Sequence, residues 1–140
     1  MAGYSGTPLS KKLGIKPGHR VGILSAPVDF VGTLAPLPDD VAIATEARGT
    51  FDVIVLFVHR ESELKRRFAK VARRIVANGG VWVGWPKKAS EVPTDLSFDS
   101  VRGMGLSTGL VDNKVCAIDE TYSGLRFVVR VEDRDSWPPA

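Results

Sequence analysis

Phe51-Asp52-Val53-Ile54-Val55-Leu56-Phe57-Val58 is the stretch on which the fold turns. Apart from Asp52 it is a continuous apolar run, rich in β-branched residues. Such a run suits a strand covered on both faces, the central strand of a parallel sheet. The next segment, from Glu61 to Ala77, places Leu64, Phe68, Val71 and Ile75 at helical spacing, so they form one apolar stripe. Arg60 or Ser62 marks the start of this helix, acids occupy its first turn and arginines its last, as the helix dipole favours. Asn78-Gly79-Gly80 reads as its stop, and Val81 to Trp85 as the following strand, ended by Pro86.

The pattern extends in both directions from this strand, helix and strand. Upstream, Thr7 is expected to cap a short helix with Pro8 at its first position, Leu9 and Leu13 on one face, and Gly14 as its end. Lys16-Pro17-Gly18 turns the chain into a first strand, Arg20 to Leu24, broken by Ser25-Ala26-Pro27. Val28 to Leu34 has the spacing of about two helical turns, and Val41 to Thr45 is a short second strand. Downstream, Thr94 or Asp95 is the expected cap of a helix through Leu96, Phe98, Val101, Met104 and Leu106, weakened by Gly103, Gly105 and Gly109. Val115 to Ile118 and Leu125 to Val131 read as an antiparallel pair joined by a short link. The expectation is one α/β domain over residues 1–140, a three-layer Rossmann-like sandwich with a mostly parallel sheet and a C-terminal antiparallel hairpin. Residues 1–6 and 133–140 are expected to be loose, the latter held only through Trp137.

Composition narrows the function classes. The 140 residues are 44% hydrophobic and 25% charged, the balance of an ordinary globular chain. Cys116 is the only cysteine, so no internal disulfide can form. The first residues lack a basic segment followed by an apolar one, and no apolar run reaches the ~20 residues of a spanning helix. A cytoplasmic location without membrane association is therefore expected. A net charge of +3 permits acidic partners without requiring them.

Several segments resemble class I S-adenosylmethionine-dependent methyltransferases. Lys16-Pro17-Gly18-His19-Arg20-Val21-Gly22-Ile23-Leu24 resembles their first strand and its approach, and Phe51-Asp52-Val53-Ile54-Val55-Leu56 their fourth strand. Ala77-Asn78-Gly79-Gly80-Val81-Trp82-Val83 resembles the turn into their fifth strand, and the terminal hairpin their last two. The resemblance implies an adenosyl cofactor beyond the first strand. Those enzymes carry a glycine-rich turn there, which lets backbone approach the cofactor. This chain reads Ser25-Ala26-Pro27-Val28-Asp29-Phe30, with no glycine before Gly32. Under the same resemblance Glu46 would hold the ribose hydroxyls, the alternative being a solvated turn carboxylate. The chain is also similar to a family of small bacterial proteins described only as a domain of unknown function. That pattern is Gly79-Gly80-Val81-Trp82-Val83 with Trp85-Pro86-Lys87-Lys88, then Gly109-Leu110-Val111-Asp112-Asn113-Lys114 and Tyr122-Ser123-Gly124-Leu125-Arg126-Phe127-Val128. It implies no activity.

Ligands of open α/β sheets bind beyond the carboxyl ends of the strands, where the strand order reverses. That rule nominates Ser25, Pro27, Glu46, His59, Arg60, Trp85, Lys87 and Lys88. His59 closes the central strand and is the candidate acid or base, unless it caps the next helix or bonds a loop carbonyl. Trp85 with Lys87 and Lys88 suits a nucleotide, a phosphate or an acidic peptide, unless the tryptophan is half buried beside two solvated lysines. Lys65, Arg66, Arg67, Lys70, Arg73 and Arg74 make the long helix basic, which reads as a nucleic-acid footprint or, preferably, a solvated outer face. Asp112, Lys114, Asp119, Glu120 and Arg126 are expected to pair and fix the hairpin register, or else to line a pocket with Tyr122 and Ser123. Cys116 reads as a small buried residue, and no grouping has metal-ligand spacing.

Three functions remain open at this level. The first is a non-catalytic module that binds a small ligand or a protein through the Trp85 to Lys88 edge, with no cofactor. The second is a divergent methyltransferase-like enzyme holding S-adenosylmethionine between Ser25, Glu46 and the end of Val58. The third, a weak nucleic-acid binder, lacks a recognition motif, and nucleic acid is not an expected partner. A free edge strand in the terminal hairpin would leave room for a homodimer.

Overall fold

In the computed structural model, which describes residues 7–139, six strands form one sheet in the order β2-β1-β3-β4-β6-β5. The strands are β1 (Arg20–Leu24), β2 (Ala42–Ala44), β3 (Phe51–Phe57), β4 (Ile75–Pro86), β5 (Val111–Ala117) and β6 (Tyr122–Val128). β1 to β4 run parallel, whereas β6 is antiparallel to both β4 and β5. β5 therefore ends the sheet on one side, and β2 on the other. Two helices of ordinary length, α2 (Glu61–Ala72) and α3 (Phe98–Leu106), accompany a single turn of helix, α1 (Leu9–Lys12).

β3 shows why the sheet is covered on both faces. Ile54, Leu56 and Val58 enter one core with Leu64, Phe68 and Val71 of α2 and Val101 of α3. The alternate residues Val53, Val55 and Phe57 enter a second core with Leu13, Phe30 and Leu34. Successive side chains of a strand point to opposite faces, so a run that is apolar at both parities requires two cores. The fold is thus a three-layer α/β sandwich, with α1 and a 3-10 turn at Val31–Leu34 making the thinner outer layer.

Several local expectations need correction. Pro8, not Thr7, occupies the cap position of α1, and no side chain caps that helix. Val28 to Leu34 forms only the one 3-10 turn, with Val28 itself exposed. α2 stops at Ala72 rather than Ala77, because Ile75 is taken by β4, where it pairs with Phe51. Asn78-Gly79-Gly80 is then not a helix stop. The pairing slips from Phe51↔Ile75 to Val53↔Gly80, so the segment around Val76 to Gly79 bulges out of β4. A Cβ on Gly79 would lie 2.6 Å from the Asp52 carbonyl oxygen, which is why glycine is needed there.

α3 is capped by Ser97, through a reciprocal pair with Ser100, rather than by Thr94 or Asp95. Those two residues serve α2 instead. Asp95 Oδ1 accepts from the Glu61 amide at 2.7 Å, and Thr94 Oγ1 donates to the His59 carbonyl at 2.6 Å. The chain end is packed through its tryptophan: Trp137 Nε1 donates to the Ile75 carbonyl at 2.8 Å. The expectation for residues 1–6 lies outside the described residues.

Candidate functional site

The strand order reverses between β1 and β3, since β2 lies on one side of β1 and the later strands on the other. The carboxyl ends of these two strands are Leu24-Ser25 and Phe57-Val58-His59. Ser25 adopts φ 57°, a left-handed conformation that favours glycine and costs other residues ~1–2 kcal/mol. The tight turn after β1 is therefore made without a glycine, and Ser25 is exposed on it. Its hydroxyl accepts a hydrogen bond from Arg67 Nη1 at 2.8 Å. Arg67 also lies 3.5 Å from Glu63, one turn earlier on α2. Both side chains are about a quarter exposed, so the pair is partly withdrawn from water.

His59 links this pair to a second group. Its amide donates to Glu63 Oε1 at 3.0 Å, and its Nε2 lies 2.8 Å from the Tyr122 hydroxyl. Tyr122 is buried and packs edge-on against Phe57, which meets Phe30 in the same way. Burial pushes the Tyr122 phenol above its ordinary value, and the Asp119 charge adds to the shift. The phenol thus stays protonated through the physiological range and exchanges one hydrogen bond with the imidazole.

The other nominated residues lie apart from this group. Pro27 and Arg60 are exposed, with no side-chain hydrogen bond or ion pair to it among the described residues. β2 ends opposite Gly22, and the chain then turns back so that Arg48 and Thr50 carbonyls accept from the Arg20 guanidinium. Glu46 pairs with Arg48 at 3.3 Å, both well exposed, and no described contact joins it to Ser25 or His59. Trp85 is 5% exposed and belongs to the core beneath α2, so it offers no open aromatic face. Lys87 Nζ donates to the Asp119 carbonyl at 2.7 Å, whereas Lys88 is exposed.

One further expectation is revised. Among the described residues no ion pair forms between Asp112, Lys114, Asp119, Glu120 and Arg126; Asp112 pairs with Arg102 instead. Of the basic residues around α2, Arg67, Arg73 and Arg74 donate to Ser25, Pro139 and Gly49, while Lys65, Arg66 and Lys70 are exposed. Glu63 and Arg67 are the site residues that the sequence pattern missed, and Tyr122, offered only as lining a pocket of the hairpin, is the partner of His59. Glu63 was legible in principle, because the first turn of a helix following a parallel strand lies at the sheet's carboxyl edge, and Arg67 follows it by one turn on the same face.

No protein-family model matches the chain, and no curated protein is similar to it in sequence. Solved structures are similar in shape. The ribosomal protein L11 methylase from Lactobacillus delbrueckii subsp. bulgaricus superposes with a TM-score of 0.60 at 10% identity, over 87% of this chain and 75% of that one. This is the fold of Rossmann-like methyltransferases. Magnesium protoporphyrin IX methyltransferase from Synechocystis PCC 6803, solved with bound SAM, gives 0.59 at 10% identity over 81% and 71% of the two chains. TrmN from Thermus thermophilus gives 0.54 at 14% identity over 87% and 47%. At such identities the likeness concerns the fold alone.

Proposed function

We propose that this chain binds an adenosyl compound of the S-adenosylmethionine type at the carboxyl edge of its sheet, as a divergent relative of the methyltransferases. The observation that carries the reading is the convergence of Ser25, Glu63 and Arg67 at the strand-order reversal of a methyltransferase-like sheet. The charges present there complement the amino-acid end of such a compound. Arg67 suits an α-carboxylate, as guanidinium groups bind carboxylates with two parallel bonds, and Glu63 suits an α-ammonium. The ribose end is less well provided, because Glu46 is well exposed beside Arg48 and makes no described hydrogen bond or ion pair with Ser25 or His59. When bound, the cofactor would supply an electrophilic methyl group. Of the chain's own residues, Arg67 and Glu63 orient the ligand, and His59 holds or takes a proton beside Tyr122.

A second reading, a binding module without catalysis, draws support from the same turn. A serine hydroxyl and Ala26-Pro27 stand where backbone alone would otherwise face the ligand. Binding through Trp85 is less favoured, since that ring is buried. Calorimetric titration with S-adenosylhomocysteine and S-adenosylmethionine tests both readings. We expect saturable binding of at least one compound, weakened tenfold or more by Arg67→Ala in a variant that still melts cooperatively. Binding of neither at concentrations of about 1 mM, where an affinity near −4 kcal/mol would register, would overturn the proposal. Binding without methyl transfer to any acceptor would favour the second reading.

A further inference from the structure

The opposite edge of the sheet holds a polar cavity of about 300 Å³. It opens where β3 and β4 begin, around the Asn78-Gly79 bulge, and is bounded on the other side by α1 and the turn that follows it. Four cations reach it, Lys12, Lys16, Lys114 and Arg126, against one carboxylate, Asp52. That carboxylate is already committed, since Asp52 Oδ2 accepts the Arg20 amide at 2.8 Å.

The arrangement is built, not incidental. Arg126 lies opposite Trp82 on β4 and opposite Lys114 on β5, so the three side chains leave the same face of the sheet. Its guanidinium crosses over Gly80, where any Cβ would come within 2.6 Å of Arg126 Cζ. Trp82 Nε1 donates to the Leu13 carbonyl at 3.0 Å, and Lys114 Nζ to the Lys12 carbonyl at 2.9 Å, which fastens α1 beside the cavity. His19 Nδ1 accepts the Lys16 amide at 3.1 Å, so a neutral His19 ring carries its proton on Nε2 as a further donor.

Arg126 is the decisive residue. Its Nε is buried without a hydrogen-bond partner, and the side chain makes no hydrogen bond or ion pair among the described residues. Burial draws its pKa down from the ordinary arginine value. A half-buried guanidinium with no partner is costly, and a bound anion would remove that cost. A single carboxylate would leave most of the excess charge unbalanced, whereas a phosphate dianion offers more acceptors and more charge.

We infer that this cavity binds a phosphate-type oxyanion, either free or as the terminal group of a small phosphorylated compound, at a site separate from the proposed adenosyl site. Titration of ¹⁵N-labelled protein with orthophosphate, pyrophosphate and glycerol 3-phosphate, each at ionic strength matched with sodium chloride, provides the test. The expected result is a saturable shift confined to the Asn78, Gly79 and Gly14 amides and the Arg126 Nε–H. The Lys16→Gln/Lys114→Gln double variant, changed at two exposed positions, should weaken it tenfold or more. Preference for glycerol 3-phosphate over the inorganic ions would assign the site to an organic phosphate, and the reverse to the free ion. Shifts spread over all basic side chains, or equal in the double variant, would overturn the inference. Adenosyl binding is read at Ser25 and Glu63 on the other edge, so either proposal can fail alone.

Discussion

Two glycines of α3 should respond in opposite directions to the same substitution. Gly103 is exposed, and a Cβ there would meet nothing within 4 Å. Gly103→Ala therefore gains the helix propensity of alanine, about 1 kcal/mol. Gly105 is buried against Phe127, and an added Cβ would overlap the ring, lying 2.6 Å from Cδ1 and nearer still to its edge. Phe127 is fully buried and packs edge-on against Phe68 at 5.3 Å, so it has nowhere to retreat. The overlap belongs at the upper end of the overpacking range, about 3 kcal/mol. Subtracting about 1 kcal/mol of helix propensity leaves a net loss of about 2 kcal/mol. For a chain of this size the midpoint should rise by roughly 3 °C for Gly103→Ala and fall by roughly 7 °C for Gly105→Ala. Thermal melts followed by circular dichroism would measure both shifts, and urea titrations the free energies. If Gly105→Ala proves neutral or stabilising, the placement of α3 over Phe127 is wrong.

Two other outcomes follow from local geometry. Ser97→Ala removes the hydroxyl that accepts the Ser100 amide and should cost about 1 kcal/mol in the same titrations, while Ser100→Ala removes the other half of the reciprocal cap of α3 at a comparable cost. The Cys116 thiol is pushed above its ordinary value, chiefly by burial and against the pull of Lys12, Lys114 and Lys87. Its contribution to stability is thus present below the ordinary thiol value and is lost as pH rises through the folded one, a direction Tyr122 shares. Iodoacetamide should accordingly need a higher pH to reach half its maximal rate in the folded protein than in urea. Equal profiles would contradict the burial.

The parts of the fold that could be read from sequence were those where one physical demand acts alone. β3 is apolar at both parities, and only a strand between two cores meets that demand, so its position was plain. The end of α2 was hidden because two demands coincide. Ile75 fits the helical stripe one turn after Val71, yet it also fits a strand beside Phe51, and the pairing prevails. Gly79 and Gly80 suggested a stop, but they are glycines because Asp52 and Arg126 approach them closely. Of the candidate site, His59 and Ser25 were placed by topology alone. Glu63 lies one helical turn from both His59 and Arg67, a local spacing that could have been read, whereas Arg67 reaches Ser25 and Tyr122 reaches His59 across long stretches of chain that no local spacing encodes. Trp85 misled because the end of a strand in sequence need not be its exposed end.

The stretch from Glu91 to Ser97 looks like the natural place to lengthen this protein, since it contains no helix or strand and most surface loops tolerate insertion. The partnership of Asp95 with Glu61 and of Thr94 with His59 argues otherwise. The segment acts as a strut, holding in place the first turn of a helix that begins 34 positions earlier in the chain. A fusion tag or affinity epitope inserted there would register at the opposite end of that strut, in the alignment of His59, Glu63 and Arg67, before it disturbed anything nearby.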